Sequence, residues 1–278
     1  VLAIGANLVF VIIEVVYGLL ANSVALLADA GHNFGDVIGL LGAWAALWLG
    51  RRPATAAFTY GFKRSSVLAA LANAGLLLVA CGAIAAEAVG RIAAPPPVHT
   101  TTMMVVAAIG ILVNLAAAFL LHIGQSDLNL RSAFTHMLAD AAMAAGVVVS
   151  GALIAWTGWL WLDPLVSLGI VVVIIGGTWG LFRDSVRMSL DAVPRDVDLA
   201  AVASFLRACP GVIDLHDLHV WSLSTTETAL TAHLVMPGGS AEEGYVVTVA
   251  EALKTRFSIG HATLQLEAGR CAQGCEPR

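Results

Sequence analysis

The chain has 278 residues, of which 59% are hydrophobic and 12% charged, whereas an ordinary soluble domain carries roughly 25% charged residues. Residues 1–189 hold 16 charged side chains and residues 190–278 hold 17, so a bilayer-like part is followed by a soluble-like part and the domain boundary falls there. Most of the net charge of −5 lies in the tail, and no basic patch interleaved with aromatics occurs, which excludes a nucleic-acid partner.

The first residues enter an apolar segment directly. Because further apolar segments follow at once, this reads as a trimmed N-terminus rather than a signal peptide. A spanning helix needs about 20 mostly apolar residues, and six such stretches follow one another: roughly 1–20, 24–50, 64–92, 100–123, 132–158 and 163–183. The separators are turn-like. Asn22-Ser23 is a tight turn, Arg51-Arg52-Pro53 stops the second span, and Pro95-Pro96-Pro97 breaks the chain after the third. Gly124 to Asn129 forms a polar link, and Gly158 to Asp163-Pro164 separates the last two spans.

Lys and Arg in short loops set orientation. Arg51, Arg52, Lys63 and Arg64 flank the 2–3 loop, Arg131 the 4–5 connection, and Arg183, Arg187 and Arg195 follow the sixth span. The opposite side has only Arg91. Both termini are therefore expected on the cytoplasmic side.

The tail reads as a small α/β domain of order α-β-β-α-β. Asp198 caps a helix running through Cys209, and Pro210-Gly211 ends it. Val212–Ser224 and Thr228–Met236 carry the β-branched and apolar pattern of paired strands. Ser240 with Glu243 forms a capping box for a helix reaching about Phe257, and Ala262–Glu267 is a last strand. The four cysteines, Cys81, Cys209, Cys271 and Cys275, lie apart and do not form a secreted disulfide framework.

Ionisable groups inside a bilayer are costly and tend to be functional. In the second span His32 and Asp36 stand four apart, hence on one helix face about one turn from each other. His136 and Asp140 repeat that spacing in the fifth span. A single buried His or Asp is as readily a packing hydrogen bond; one spacing on two spans is harder to explain that way. Two such helices side by side offer an N2O2 tetrahedron, which suits zinc; magnesium or calcium would call for more oxygens. Gly35, Gly39, Gly42, Ala141, Ala144 and Gly146 are expected to let these two helices approach closely. Asp29 is either a helix-end group or a carboxylate on a release path, and Glu14 carries less weight. Glu87 and Asp163, near the outer boundary, read as snorkelling or capping groups.

The stretch from Ser23 to Asn33 with Asp36, together with Tyr60-Gly61-Phe62-Lys63-Arg64, Asn129 to Asp140 and Asp163-Pro164, closely resembles the cation diffusion facilitators, in particular their zinc-transporter branch. In the tail, His216-Asp217-Leu218-His219-Val220-Trp221 and Thr231-Ala232-His233 continue the likeness. The resemblance implies a homodimeric exporter with six helices per protomer, embedded in the lipid bilayer, that exchanges cytosolic Zn2+ for protons. It also implies a ferredoxin-like cytoplasmic domain at the dimer interface, with zinc as its regulatory ligand. The transport site implied is His32, Asp36, His136 and Asp140. The two histidines make cadmium a poorer substrate by the same analogy. The 2–3 loop lacks the ligand set that some bacterial members carry there, and the 4–5 loop is short with only His122 nearby. A bacterial plasma membrane fits better than a vesicle.

In the cytoplasmic domain the resemblance implies metal binding by His216, His233 and Glu267, with His261 as a further ligand. Cys271 and Cys275 form a C-x3-C tail similar to the paired thiols of some members. His219 falls either on the opposite strand face from these ligands or two positions along the same one. The expected mechanism is proton-coupled alternating access, since imidazoles (reference pKa about 6.5) must be deprotonated to bind metal. The rival readings are export of cadmium, cobalt or nickel, which affinity order alone does not separate, and an intramembrane metallohydrolase. The latter needs a Glu base as in HExxH; no such motif occurs, so no enzyme is expected.

Overall fold

The computed structural model describes residues 2–122, 128–237 and 244–269. Backbone in lipid must satisfy its own hydrogen bonds, which favours helices. Six helices occupy the first two thirds: α1 (Leu2–Ala21), α2 (Val24–Gly50), α3 (Ser65–Ala93), α4 (Thr100–His122), α5 (Leu128–Thr157) and α6 (Leu162–Ser189). By length and composition, α2 to α6 can each cross a membrane, and α1 contributes a shorter apolar stretch, Asn7–Ala21. Large apolar side chains such as Val79, Leu112, Phe119, Trp156 and Val172 point outward, where a helix in water would carry charge.

The predicted turn after α1 forms. Asn22 adopts φ 54°, and Ser23 N–H bonds back to the Gly18 carbonyl at 3.0 Å. Asn tolerates this left-handed conformation better than most residues. The start of α2 is then capped from another helix. Asp163, at the head of α6 and 1% exposed, accepts from Val24 N–H at 2.7 Å, Ala25 N–H at 3.3 Å and the Ser23 hydroxyl. A carboxylate there meets the orphan amides and the positive end of the helix dipole. Arg91, at the end of α3, donates to both the carbonyl and side-chain oxygen of Asn22 at 2.9 Å and pairs with Glu87.

The glycines of α2 serve a different neighbour from the one expected. A Cβ on Gly31 would meet Ile84 at 3.2 Å, one on Gly35 Leu77 at 2.9 Å, and one on Gly39 the Asn73 amide at 2.9 Å. This stripe, spaced every four residues, receives side chains of α3. Gly146 of α5 faces open space, while Ala141 and Ala144 are buried.

Two compact units emerge, one from Val1–Gly42 with Ala72–Phe182, the other from Ala43–Leu71 with Arg183–Arg278. The core of the first is dominated by small and β-branched side chains, among them Ala21, Ala25, Ala28, Ala107, Val147 and Ile170. In the second, the chain after α6 forms α7 (Leu199–Arg207), β1 (Asp214–Ser222), β2 (Thr228–Val235), α8 (Tyr245–Phe257) and β3 (Ile259–Glu267), the expected α-β-β-α-β order. Asp198 caps α7 through Ala200 N–H at 2.9 Å and Ala201 N–H at 3.0 Å, as its sequence position predicts. The helix ends at Arg207, short of Cys209, and Gly211 (φ 81°) turns the chain. The Ser240–Glu243 capping box lies outside the described residues.

The sheet runs β1-β2-β3, with β1 antiparallel and β3 parallel to β2. β3 starts three residues before the expected Ala262, at Ile259, whose side chain is buried in the core with Leu230, Leu234, Val249 and Leu253. β1 is not regular. Asp217 and Leu218 stand where β2 has only Ala232, so the register slips between His216 and His219, and Asp217 adopts φ 51°. This is a β-bulge, which re-aims neighbouring side chains. Within the same unit, Lys63 and Arg64 of the α2–α3 loop pair with Glu227 and Asp191.

Candidate metal centres

Helical spacing brings His32 over Asp36 on α2 and His136 over Asp140 on α5, and packing of the helices turns the pairs toward each other. One ligand atom from each residue can be chosen so that all four lie within 4.8 Å. The shortest approaches are crossed between helices: His32 Nε2 to Asp140 Oδ1 at 3.1 Å and His136 Nε2 to Asp36 Oδ2 at 3.2 Å. Within each helix the separations are 3.8 Å and 3.7 Å. Tetrahedral zinc with bonds of about 2.0–2.1 Å sets its ligands about 3.3–3.4 Å apart, inside that spread. The imidazoles meet edge to face, centroids 5.8 Å apart, so both Nε2 atoms point inward without stacking.

Exposure is graded across the group. The Asp140 side chain is 2% exposed and His32 13%, against 27% for Asp36 and 43% for His136. The open side adjoins a cavity of about 290 Å³ lined by Asn7, Asn33, Asp36, Asn73, Asn114, His136 and Asp140. Four carboxamides there are neutral oxygen donors that can replace part of an ion's hydration shell. Asn73 and Asn114 lie toward the ends of α3 and α4 joined by the 2–3 and 4–5 connections, so the cavity extends to that side of the bundle.

A second group forms on the sheet. His216 pairs directly with His233 across β1 and β2, and Glu267 of β3 lies diagonal to His233, which pairs with Gln265. His216 Nε2 is 3.1 Å from Glu267 Oε2, and His233 Nδ1 is 2.8 Å from Glu267 Oε1, out of line for a hydrogen bond. The three offer ligand atoms within 4.8 Å of one another.

The bulge decides which neighbours join them. It returns His219 to the face of His216 but opposite Thr231, where the ring is 63% exposed and bonds to Asp217 Oδ1 at 2.9 Å. The other Asp217 oxygen reaches toward His233 Nε2, 3.6 Å away. Asp217 is therefore a group that strand alternation did not select; the signal was the acidic residue inside His-Asp-Leu-His. His261 stands opposite Ala229, well down the strand from Glu267, and its ring packs edge-on against Tyr60 at 5.5 Å. It does not join His216, His233 and Glu267 in this protomer. Cys271 and Cys275 lie outside the described residues.

Spanning helices with an N2O2 group between two of them define an integral membrane protein with the features of a metal carrier. The chain belongs to the cation efflux family: the pattern of the cation efflux transmembrane domain matches residues 1–188, and that of the cation efflux protein cytoplasmic domain matches residues 194–269. It is 37% identical over 266 residues to the cation efflux system protein CzcD of Alcaligenes sp. (strain CT14), covering 95% of this chain and 84% of that protein. Against the zinc transporter ZitB of Escherichia coli (strain K12) it is 35% identical over 272 residues, covering 97% and 87%. Against the cadmium, cobalt and zinc/H(+)-K(+) antiporter of Bacillus subtilis (strain 168) it is 33% identical over 264 residues, covering 93% and 85%.

Proposed function

We propose that this chain is a zinc efflux transporter that exchanges cytosolic Zn2+ for protons by alternating access, with His32, Asp36, His136 and Asp140 as the transport site. The observation that carries this reading is the crossed pairing of the two helices, at 3.1 Å and 3.2 Å. Each carboxylate faces the other helix's imidazole, so a proton on nitrogen and a metal ion compete for one position. At cytosolic pH the imidazoles give up protons to bind metal; on the far side, protonation drives release. Relative motion of α2 and α5 against their neighbours switches access. The asparagine-lined cavity supports loading from the side carrying the basic loops.

In this reading the protein works as a homodimer in a bacterial plasma membrane, with both termini cytoplasmic. Residues 1–189 form the transmembrane domain and 190–278 a cytoplasmic metal-binding dimerisation domain. There His216, His233 and Glu267, with Asp217 beside them, bind zinc as a regulatory ligand, and no catalytic role is assigned. The relatives named for cadmium and cobalt favour a second reading, broader divalent export. Flux in proteoliposomes under a pH gradient, over a panel of zinc, cadmium, cobalt and nickel, decides between them. Asp36→Ala or Asp140→Ala should bring zinc flux to background; undiminished flux would remove the proposed site.

A further inference from the structure

Two carboxyl groups outside the quartet are buried more deeply than most of its members. Glu14 of α1 is fully buried and Asp29 of α2 is 1% exposed. They neighbour each other across the two helices: Asn33, which donates to Glu14, stands one turn along the same face of α2 from Asp29. Glu14 Oε1 and both Asp29 oxygens have no hydrogen-bond partner among the described groups, while Asn33 Nδ2 donates to Glu14 Oε2 at 2.8 Å. Gly110 of α4 makes room for the neighbouring Phe10 ring, which an added Cβ would approach to 2.9 Å, and Glu14 Oε1 lies beside the same glycine. Among the described residues neither carboxyl group has a Lys or Arg partner. Arg91 is committed to Asn22 and Glu87. The titratable groups beside Asp29 are Glu14 of α1, His32 on its own helix and Asp140 of α5.

Two neighbouring carboxylates shut away from water cannot both stay ionised without a cation. A proton on one of them places a donor between the two and removes one of the two charges. We propose that Glu14 and Asp29 form a buried acid pair holding one proton, and that this proton is released when metal fills the neighbouring His32–Asp36–His136–Asp140 group. The proposal rests on the transport reading above and adds a coupling group to it. His32 follows Asp29 by three residues, so a dication on the quartet sits within about one helical turn of the pair and favours its ionised form. The carboxyl O–H bond breaks and the proton passes to water. Asn33 marks the route, since it both touches Glu14 and lines the cavity. When metal leaves outward, a proton from that side returns to the pair.

The test counts protons released per zinc bound, titrating zinc chloride into the full-length protein in weakly buffered detergent with a pH indicator. Glu14→Gln should release about one proton fewer per zinc, at unchanged zinc stoichiometry, and Glu14→Asp should restore the count. The cytoplasmic domain contributes equally to all three proteins and cancels in the difference. In proteoliposomes Glu14→Gln should also lose the response of zinc flux to a pH gradient. An unchanged proton count with normal zinc binding overturns the proposal. Should Glu14→Gln not purify folded, Asp29→Asn carries the same expectation. Failure of the transport reading itself is seen separately, as zinc flux surviving in Asp36→Ala.

Discussion

The quartet between α2 and α5 and the trio on the sheet use similar residue types on different scaffolds. On the helices, each residue pair is held by one turn of one helix, and the two pairs meet only because the helices pack. The relative placement of α2 and α5 therefore sets how the four groups meet, and exposure runs from 2% at Asp140 to 43% at His136 beside a cavity. On the sheet, His216, His233 and Glu267 are tied by backbone ladders on three adjacent strands and are 10–20% exposed. Groups on two separate helices suit an ion that passes through; groups on one hydrogen-bonded sheet suit an ion that stays.

The largest expected effect breaks that contrast at its root. Asp140→Ala should bring zinc flux in proteoliposomes to background, whereas His233→Ala should leave measurable flux and instead remove zinc from the cytoplasmic domain, read by metal content after dialysis. Equal loss of flux in both variants would mean that the two groups are not separate stations. Next in size, Asp217→Ala should weaken zinc binding by the cytoplasmic domain by roughly 10–100-fold, the range for a carboxylate supporting a metal ligand, measured by competition with a chelating dye. Gly35→Leu should then lower stability by about 1–3 kcal/mol through overpacking against Leu77, seen as a lower unfolding temperature in detergent. Smallest, Asp217→Gly should keep the bulge and raise domain stability by up to about 1 kcal/mol, because glycine adopts φ near 51° without strain. A lowered stability would show that the Asp217 contacts to His219 and His233 outweigh its backbone cost.

How much was legible differs between the two groups for a physical reason. Four-residue spacing places His32 with Asp36 and His136 with Asp140 whatever the surroundings, because helical periodicity is local. Strand alternation is local too, but one inserted residue inverts it, and nothing in His-Asp-Leu-His announces that Asp217 and Leu218 share a single place in the ladder. The partner of the α2 glycines shows the same limit. Gly35 and Gly39 were readable as a close-packing stripe, yet the helix that uses it is α3, through Leu77 and Asn73. His261 matched a ligand position by resemblance, but pairing opposite Ala229 carries it away from Glu267. Asp163 was readable as a cap; that it caps α2 rather than its own helix required the packing of α6.

By itself the sequence determined what depends on composition and on neighbours a few residues apart: the apolar spans, the polar tail with its α-β-β-α-β order, and the paired His and Asp on two helices. Tertiary structure alone decided which pairs cross, which strand residues meet, and that Glu14 and Asp29 close on each other out of water. Contacts between distant segments depend on helix rotation and strand register, and both are set by the packing of the whole chain.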